Sequence, residues 1–142
     1  MNEENEFHFT AIGDPAPKGS KHGFVVNGKS VLVEQSKRAK PWEQTVHWAA
    51  RECADLGGLY AMEGPVQVDI TFLMPRVGSV PKKARLHPHV KRPDADKLAR
   101  LALDGLTGVC YQDDSQVYML HVYKRYADPG ESPGAIFVVR GV

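Results

Sequence analysis

Cysteine is scarce in this chain, with only Cys53 and Cys110 among 142 residues, and long apolar runs are missing altogether. Two cysteines without metal-type spacing exclude a disulfide framework and a thiolate metal site. No apolar stretch approaches the ~20 residues that a membrane-spanning helix needs. Charge of one sign is lacking too, since the formal net charge is +1, and bulk charge therefore announces no polyanionic partner. The most telling absence is local. From Pro75 to Pro93 there is no Asp or Glu, in a chain that carries 17 of them, while the same stretch holds six Lys/Arg (Arg76, Lys82, Lys83, Arg85, Lys91, Arg92) together with His87 and His89. An acid-free basic segment of this kind suits phosphate. The opening Met1–Glu6 is acidic and polar, which fits neither a signal nor a transit peptide. Residues 1–6 are expected to be a disordered tail, and the chain a soluble, reduced, cytoplasmic protein.

What the chain does have is four aspartates in two tight pairs, Asp94/Asp96 and Asp113/Asp114, flanking one short amphipathic segment. Clustered carboxylates repel one another, so a fold that gathers them generally does so around a cation. Ligation by oxygen alone, without His or Cys, suits Mg²⁺, with Mn²⁺ as a substitute. With the basic stretch 75–93 beside them, these carboxylates point to metal-dependent cleavage of a nucleic acid.

The length fits a single domain over 1–142, long enough to bury roughly 70% of its unfolded surface. Phe7–Ile12 alternates as a strand, and Gly13–Lys21 breaks regular structure with glycine and proline. Phe24–Val26 and Val31–Val33 flank Asn27-Gly28, a hairpin signal. From about Lys37 to Leu56, Trp42, Val46, Ala49, Ala50 and Cys53 recur at helical steps, and Gly57-Gly58 ends the helix. Pro65–Met74 is a strand with Val66, Val68, Ile70 and Phe72 on one face. A second helix is expected over Ala95–Leu106, with Leu98, Leu101, Ala102 and Gly105 on one side. Val117–Lys124 and Ala135–Val139 read as closing strands. The fold class is α+β: two layers, a mixed sheet with an N-terminal hairpin, and both helices on one face.

Each candidate has a plain structural alternative. Asp94 and Asp96 could serve as caps of the second helix, where carboxylates bond free N–H groups and favour the dipole. Asp113-Asp114 could belong to a turn. A helix of a dozen residues spans ~18 Å, and a strand running back from it would return Asp113/Asp114 beside Asp94/Asp96, where four carboxylates would need cations. Arg100 lies one helical turn after Asp96 and one before Asp104; it is either part of a surface ion ladder or faces the scissile phosphate. Lys18, Lys21 and the cations of 75–93 are solvated charges or phosphate contacts. His87 and His89 are assigned nothing firmer than phosphate contact. Trp42 and Trp48 are expected in the core, as is Cys53, with Cys110 an inert buried thiol.

The run Lys91-Arg92-Pro93-Asp94-Ala95-Asp96-Lys97-Leu98, followed by Leu103-Asp104-Gly105-Leu106-Thr107-Gly108 and Asp113-Asp114-Ser115-Gln116-Val117, closely resembles the signature of the RusA-type Holliday junction resolvases. The likeness extends to Gly13–Gly19 and to Tyr123-Lys124-Arg125-Tyr126. It implies a RusA-like fold and a homodimer that binds four-way DNA junctions and nicks two opposing strands with Mg²⁺. By that resemblance Asp94, Asp96 and Asp114 are catalytic and metal-binding, Asp113 is a further metal ligand, and Arg100 stands where the family usually has a catalytic lysine. Lys97, at a position where asparagine is common, and Lys124 join the expected DNA contacts. Arginine keeps that charge but does not donate a proton at neutral pH. Two other readings stay open: a nuclease for flaps or forks, and a DNA-binding module without catalysis.

Overall fold

The computed structural model describes residues 5–19, 21–26, 29–34 and 37–142, and for the strands within 21–34 it gives backbone pairing alone. Among the described residues six strands and two α-helices follow one another as β1 (Phe7–Ile12), β2 (Lys21–Val26), β3 (Lys29–Glu34), α1 (Ala39–Gly57), β4 (Val66–Met74), α2 (Ala95–Leu106), β5 (Val117–Tyr126) and β6 (Gly134–Gly141). The architecture is the expected α+β. β2 and β3 pair antiparallel as a sheet of their own, while the main sheet has the order β1-β6-β4-β5. Only the β4–β5 pairing is parallel, so the main sheet is mixed. The turn expected at Asn27-Gly28 and the side chain of Lys21 lie outside the described residues.

Alternation, clearest along β4 over Val66–Phe72, puts one face of the sheet into the core. Phe9 stands beside Phe137, Phe137 beside Ile70, and Ile70 beside Val122, forming one apolar row across all four strands. Phe7, Val139, Val68 and Leu120 form the next row. Phe9 and Phe137 stack at 4.8 Å. This face lies under α1 and α2, and the core adds Trp42, Val46 and Ala50 from α1 and Leu98, Leu101 and Leu106 from α2. Of the disordered tail expected over 1–6, Asn5 and Glu6 are instead held in the fold, and residues 1–4 lie outside the described residues. Asn5 is buried and exchanges hydrogen bonds with Tyr60, its Nδ2 donating to the carbonyl at 3.1 Å and its Oδ1 accepting the amide at 3.3 Å. Glu6 pairs with Arg140 at 3.2 Å.

The two helices touch at Gly105. A β-carbon there would meet Val46 Cγ1 at 2.9 Å and the Glu43 carbonyl at 3.0 Å, so only glycine permits this approach. Gly105→Ala would gain ~1 kcal/mol of helix propensity, yet we expect it to lower stability by a net ~1–2 kcal/mol through overpacking. Urea unfolding measures this, and a variant as stable as the parent would show that α1 shifts freely.

Trp48 departs from expectation. Trp42 is 3% exposed but Trp48 is 66% exposed and lies edge-on to His47. Six residues carry a helix about 600° round, so the two indoles point to different faces of α1. Cys53 packs partly buried against the core and Cys110 is buried, both as free thiols. Burial pushes the Cys110 thiol far above its usual range, which keeps it protonated and inert.

Candidate active site

Asp94 occupies the N-cap of α2 with extended backbone (φ −71°, ψ 144°), and its carbonyl accepts the Leu98 amide at 3.1 Å. Its carboxylate makes no capping bond. The capping alternative is therefore corrected for Asp94: the side chain is left exposed with its charge unspent. Asp96 follows in the first turn, also exposed. The segment leading into Asp94, through a cis Arg92–Pro93 peptide, is held by Lys124. That ammonium donates to the carbonyls of Lys91 at 2.6 Å and Pro93 at 2.7 Å. Lys124, expected as a DNA contact, thus ties the edge strand to the acidic loop.

A cleft of about 510 Å³ opens beside Asp94, and Lys37, Arg38, Arg92 and Lys97 bring four cations to its walls. Arg38 also pairs with Asp14 at 2.9 Å. A polyanion laid in this cleft would run its phosphates past the Asp94 carboxylate. Lys37 and Arg38 were missed in the sequence, although Lys37-Arg38-Ala39-Lys40 is a basic cluster at a helix start. Their distance in sequence from Asp94 hid the connection.

The other expected groups are distributed as follows. Lys18 pairs with Asp104 at 3.0 Å, and its amide bonds the Lys97 carbonyl at 3.0 Å, fastening the 13–19 loop over α2. Asp104 is thus taken by Lys18, and among the described residues Arg100 forms no ion pair, so the Asp96–Arg100–Asp104 ladder is not built. Arg100 is exposed beside Asp96, on a groove between α2 and β5. Arg76 turns inward and donates to the carbonyls of Ala127, Pro81 and Ala84 at 3.1, 2.5 and 2.8 Å. It shapes the basic stretch. Lys82, Lys83, Arg85, Lys91 and Arg92 are exposed.

Asp113 caps the short 3₁₀ turn Asp114–Gln116. Its Oδ1 accepts the Ser115 amide at 2.9 Å, and Gln116 Oε1 accepts the Asp113 amide at 3.0 Å. The Ser115 amide holds the Asp113 carboxyl below its usual range. Gln116 anchors the turn by donating to the carbonyls of Met62 and Gly64. The expected return of Asp113/Asp114 to the start of α2 does not occur within one chain. Because β5 runs parallel to β4, the connecting α2 runs antiparallel to both strands. Tyr111, whose hydroxyl bonds the Leu103 carbonyl at 2.8 Å near the end of α2, feels both Asp114 and Asp104. At the other end, Lys124 meets Pro93. The two acidic pairs thus sit at opposite ends of a helix ~18 Å long. Among the described residues no three His, Cys, Asp or Glu side chains are placed to hold a metal ion.

His89 is buried against Tyr126, ring centroids 4.8 Å apart, and is no phosphate contact. Burial first, then the charge of Lys124, lowers its pKa from the ordinary 6.5. The native ring is therefore neutral at pH 7, while the unfolded chain takes up a proton more readily. The stability this supplies is present above pH 6.5 and lost as pH falls below it. We expect the melting temperature to drop between pH 7 and 5 more steeply in the parent than in His89→Leu. Equal slopes by scanning fluorimetry would remove His89 from the pH response.

The structure is a small two-layer α+β domain whose basic cleft ends on an exposed, uncapped carboxylate. Comparison with known families makes the assignment specific: the family described as Endodeoxyribonuclease RusA matches residues 13–132. The chain belongs to the RusA endodeoxyribonuclease family, whose members are DNA-cleaving enzymes that resolve Holliday junctions. A protein of Bacillus subtilis (strain 168), described as "Uncharacterized protein YqaN", is 31% identical over 143 residues, covering 94% of this chain and 95% of its own. Among the described residues no helix is long and apolar enough to cross a membrane.

Proposed function

We propose that this chain is a Mg²⁺-dependent endodeoxyribonuclease that resolves four-way DNA junctions by paired nicks, acting as a homodimer in recombination and repair within a bacterial or phage-infected cytoplasm. The observation that carries this reading is the Asp94 carboxylate, which sits at a helix N-cap yet makes no capping bond and closes a cleft walled by four cations. A carboxylate kept out of its obvious structural use, beside a phosphate-binding surface, is available for chemistry.

Lys37, Arg92 and Lys97 bind the DNA backbone, and the 75–93 cations extend that track. Arg100 offsets negative charge on the attacked phosphate and, being permanently protonated, gives up no proton. The proposed cofactor is Mg²⁺, replaceable by Mn²⁺, with Asp94, Asp96, Asp113 and Asp114 as ligands. When bound it would supply a deprotonated water and charge neutralisation. Within one chain Asp94 and Asp96 lie together, and two carboxylates suit a Mg²⁺ that keeps several waters and takes substrate phosphate oxygens; Asp113 and Asp114 lie at the far end of α2.

The experiment is a cleavage panel of synthetic four-way junction, fork, flap and plain duplex, with Mg²⁺ and with EDTA. Junction nicking that EDTA abolishes is expected. Preference for flap or fork would replace the substrate, and no cleavage of any DNA would leave the second reading, a DNA-binding module without catalysis. That second reading draws on the described residues alone, among which no three His, Cys, Asp or Glu side chains gather within one chain. It predicts a melting temperature indifferent to millimolar Mg²⁺, whereas a true site is stabilised through linkage.

A further inference from the structure

A second cavity, of about 400 Å³, adjoins the cleft beside Asp94, and Arg38, Arg92 and Pro93 line both. Its size lies near the lower end of the ~300–1,000 Å³ usual for small-molecule sites, so it admits one nucleotide and no paired helix. Polar and apolar groups divide its lining. Pro15, Met74, His89 and Tyr126 are buried, whereas the cations Arg38, Lys91 and Arg92 are exposed. The charge therefore lies outward and the apolar surface inward. Arg38 pairs with Asp14, but among the described residues neither Lys91 nor Arg92 forms an ion pair. Lys124 holds the Lys91 carbonyl, not its ammonium.

His89 adds an independent sign of a ligand. It is 9% exposed, and its Nδ1 is buried without a hydrogen-bond partner among the described residues. Such an orphaned atom costs free energy until something supplies the partner. The ring packs against Tyr126 and is neutral at pH 7, so it offers one donor and one acceptor rather than a charge for phosphate. A flat apolar body, an edge that both donates and accepts, and an anionic end meet these features together. That combination is a nucleotide.

We propose that this cavity receives one base of the DNA strand, turned out of its stack, while the adjoining phosphate stays on Arg92 and the strand continues past Asp94, and that His89 and Val77 decide which base fits. The proposal deepens the nuclease reading and rests on it for the strand in the first cleft. Because Arg92 belongs to both linings, a strand held there keeps its backbone in one cavity with a base in reach of the other. Turning a base out costs unpairing and unstacking, and costs least where the base is already unpaired. Intact duplex therefore fills the cavity poorly and a branch point fills it readily. A free nucleotide has the same chemistry, but the shared cationic wall favours a base that arrives with its strand.

Abasic scanning reads the cavity directly. A four-way junction with a single abasic residue, moved stepwise around the nick, should be cut about 10- to 100-fold more slowly at one position, the worth of one good base contact. Val77→Trp fills the cavity from a position 44% exposed. It should cut the intact junction about as slowly as the parent cuts the abasic one, with no further loss when the base is removed. His89→Leu keeps the bulk and removes the donor and acceptor, so the parent's preference among the four bases at that position should disappear. If Val77→Trp does not fold by circular dichroism, Ser79→Trp, also exposed on this lining, takes its place. A scan without a sensitive position, a parent indifferent to the base, or a loss that persists in full in the tryptophan variant would overturn the pocket.

One readout needs no cleavage. A fluorescent purine analogue at the branch brightens when it leaves the stack, and the junction is bound in EDTA. The parent should brighten it and Val77→Trp should not. A free deoxynucleoside monophosphate that blocks cleavage at micromolar concentration, with the analogue dark in the bound junction, would assign the cavity to a free nucleotide and overturn base reading. A parent inactive on every DNA would overturn the nuclease reading, and the analogue would still decide the pocket.

Discussion

Asp96→Asn should reduce junction cleavage by more than about 100-fold, the upper loss seen when only an outer partner of a metal is removed, while junction binding stays near the parental level. Asparagine keeps the shape and removes the charge. Asp96 is exposed in the first turn of α2, so no buried partner is orphaned. The lost helix-dipole term is worth only ~0.3–1 kcal/mol, and the fold should persist. Removing a negative charge beside bound phosphates does not weaken DNA binding. Cleavage and gel-shift titration on the same preparation separate the two quantities. Full activity in this variant would remove Asp96 from the chemistry. Asp113→Asn is the informative contrast, because asparagine still accepts the Ser115 amide as a cap; any loss of cleavage there would then come from charge alone.

Neutralising Lys82, Lys83 and Arg85 together should weaken binding to every DNA sequence alike and flatten its salt dependence. Each lost phosphate contact removes roughly 0.9 from the log–log slope, so three contacts remove up to about 2.7. These side chains are exposed, and changing them costs little stability. Arg76 belongs to the same basic stretch by sequence, yet its guanidinium is committed to three carbonyls. Its replacement should loosen the loop and lower the melting temperature instead. An unchanged salt slope in the triple variant would mean that the 75–93 stretch does not follow the DNA backbone.

The elements of this fold were readable because each obeys a local rule. α2 begins and ends where Pro93-Asp94 and the Leu98/Leu101/Ala102/Gly105 spacing place it, and the alternation of Val66, Val68, Ile70 and Phe72 gives β4 to within a residue. The failures came from relations between elements. Nothing in Val117–Lys124 says whether β5 lies parallel or antiparallel to β4, and that one choice decides which end of α2 receives Asp113 and Asp114. Arg38 and Lys37 join the cleft only because α1 and α2 meet at Gly105. Lys18, Arg76 and Lys124 look like their exposed neighbours in sequence, since commitment of a cation to a carbonyl or carboxylate leaves no local trace. Asp94 was legible as an N-cap, but its refusal of the capping bond was not.

The tie between Lys124 and the carbonyls of Lys91 and Pro93 has a mechanical meaning. An ammonium on a strand grips the loop that sets the position of Asp94, so the height of that strand and the place of that carboxylate are a single coordinate. Any force that slides or tilts the sheet margin reaches the acidic loop through two hydrogen bonds rather than through a long relay of packed side chains.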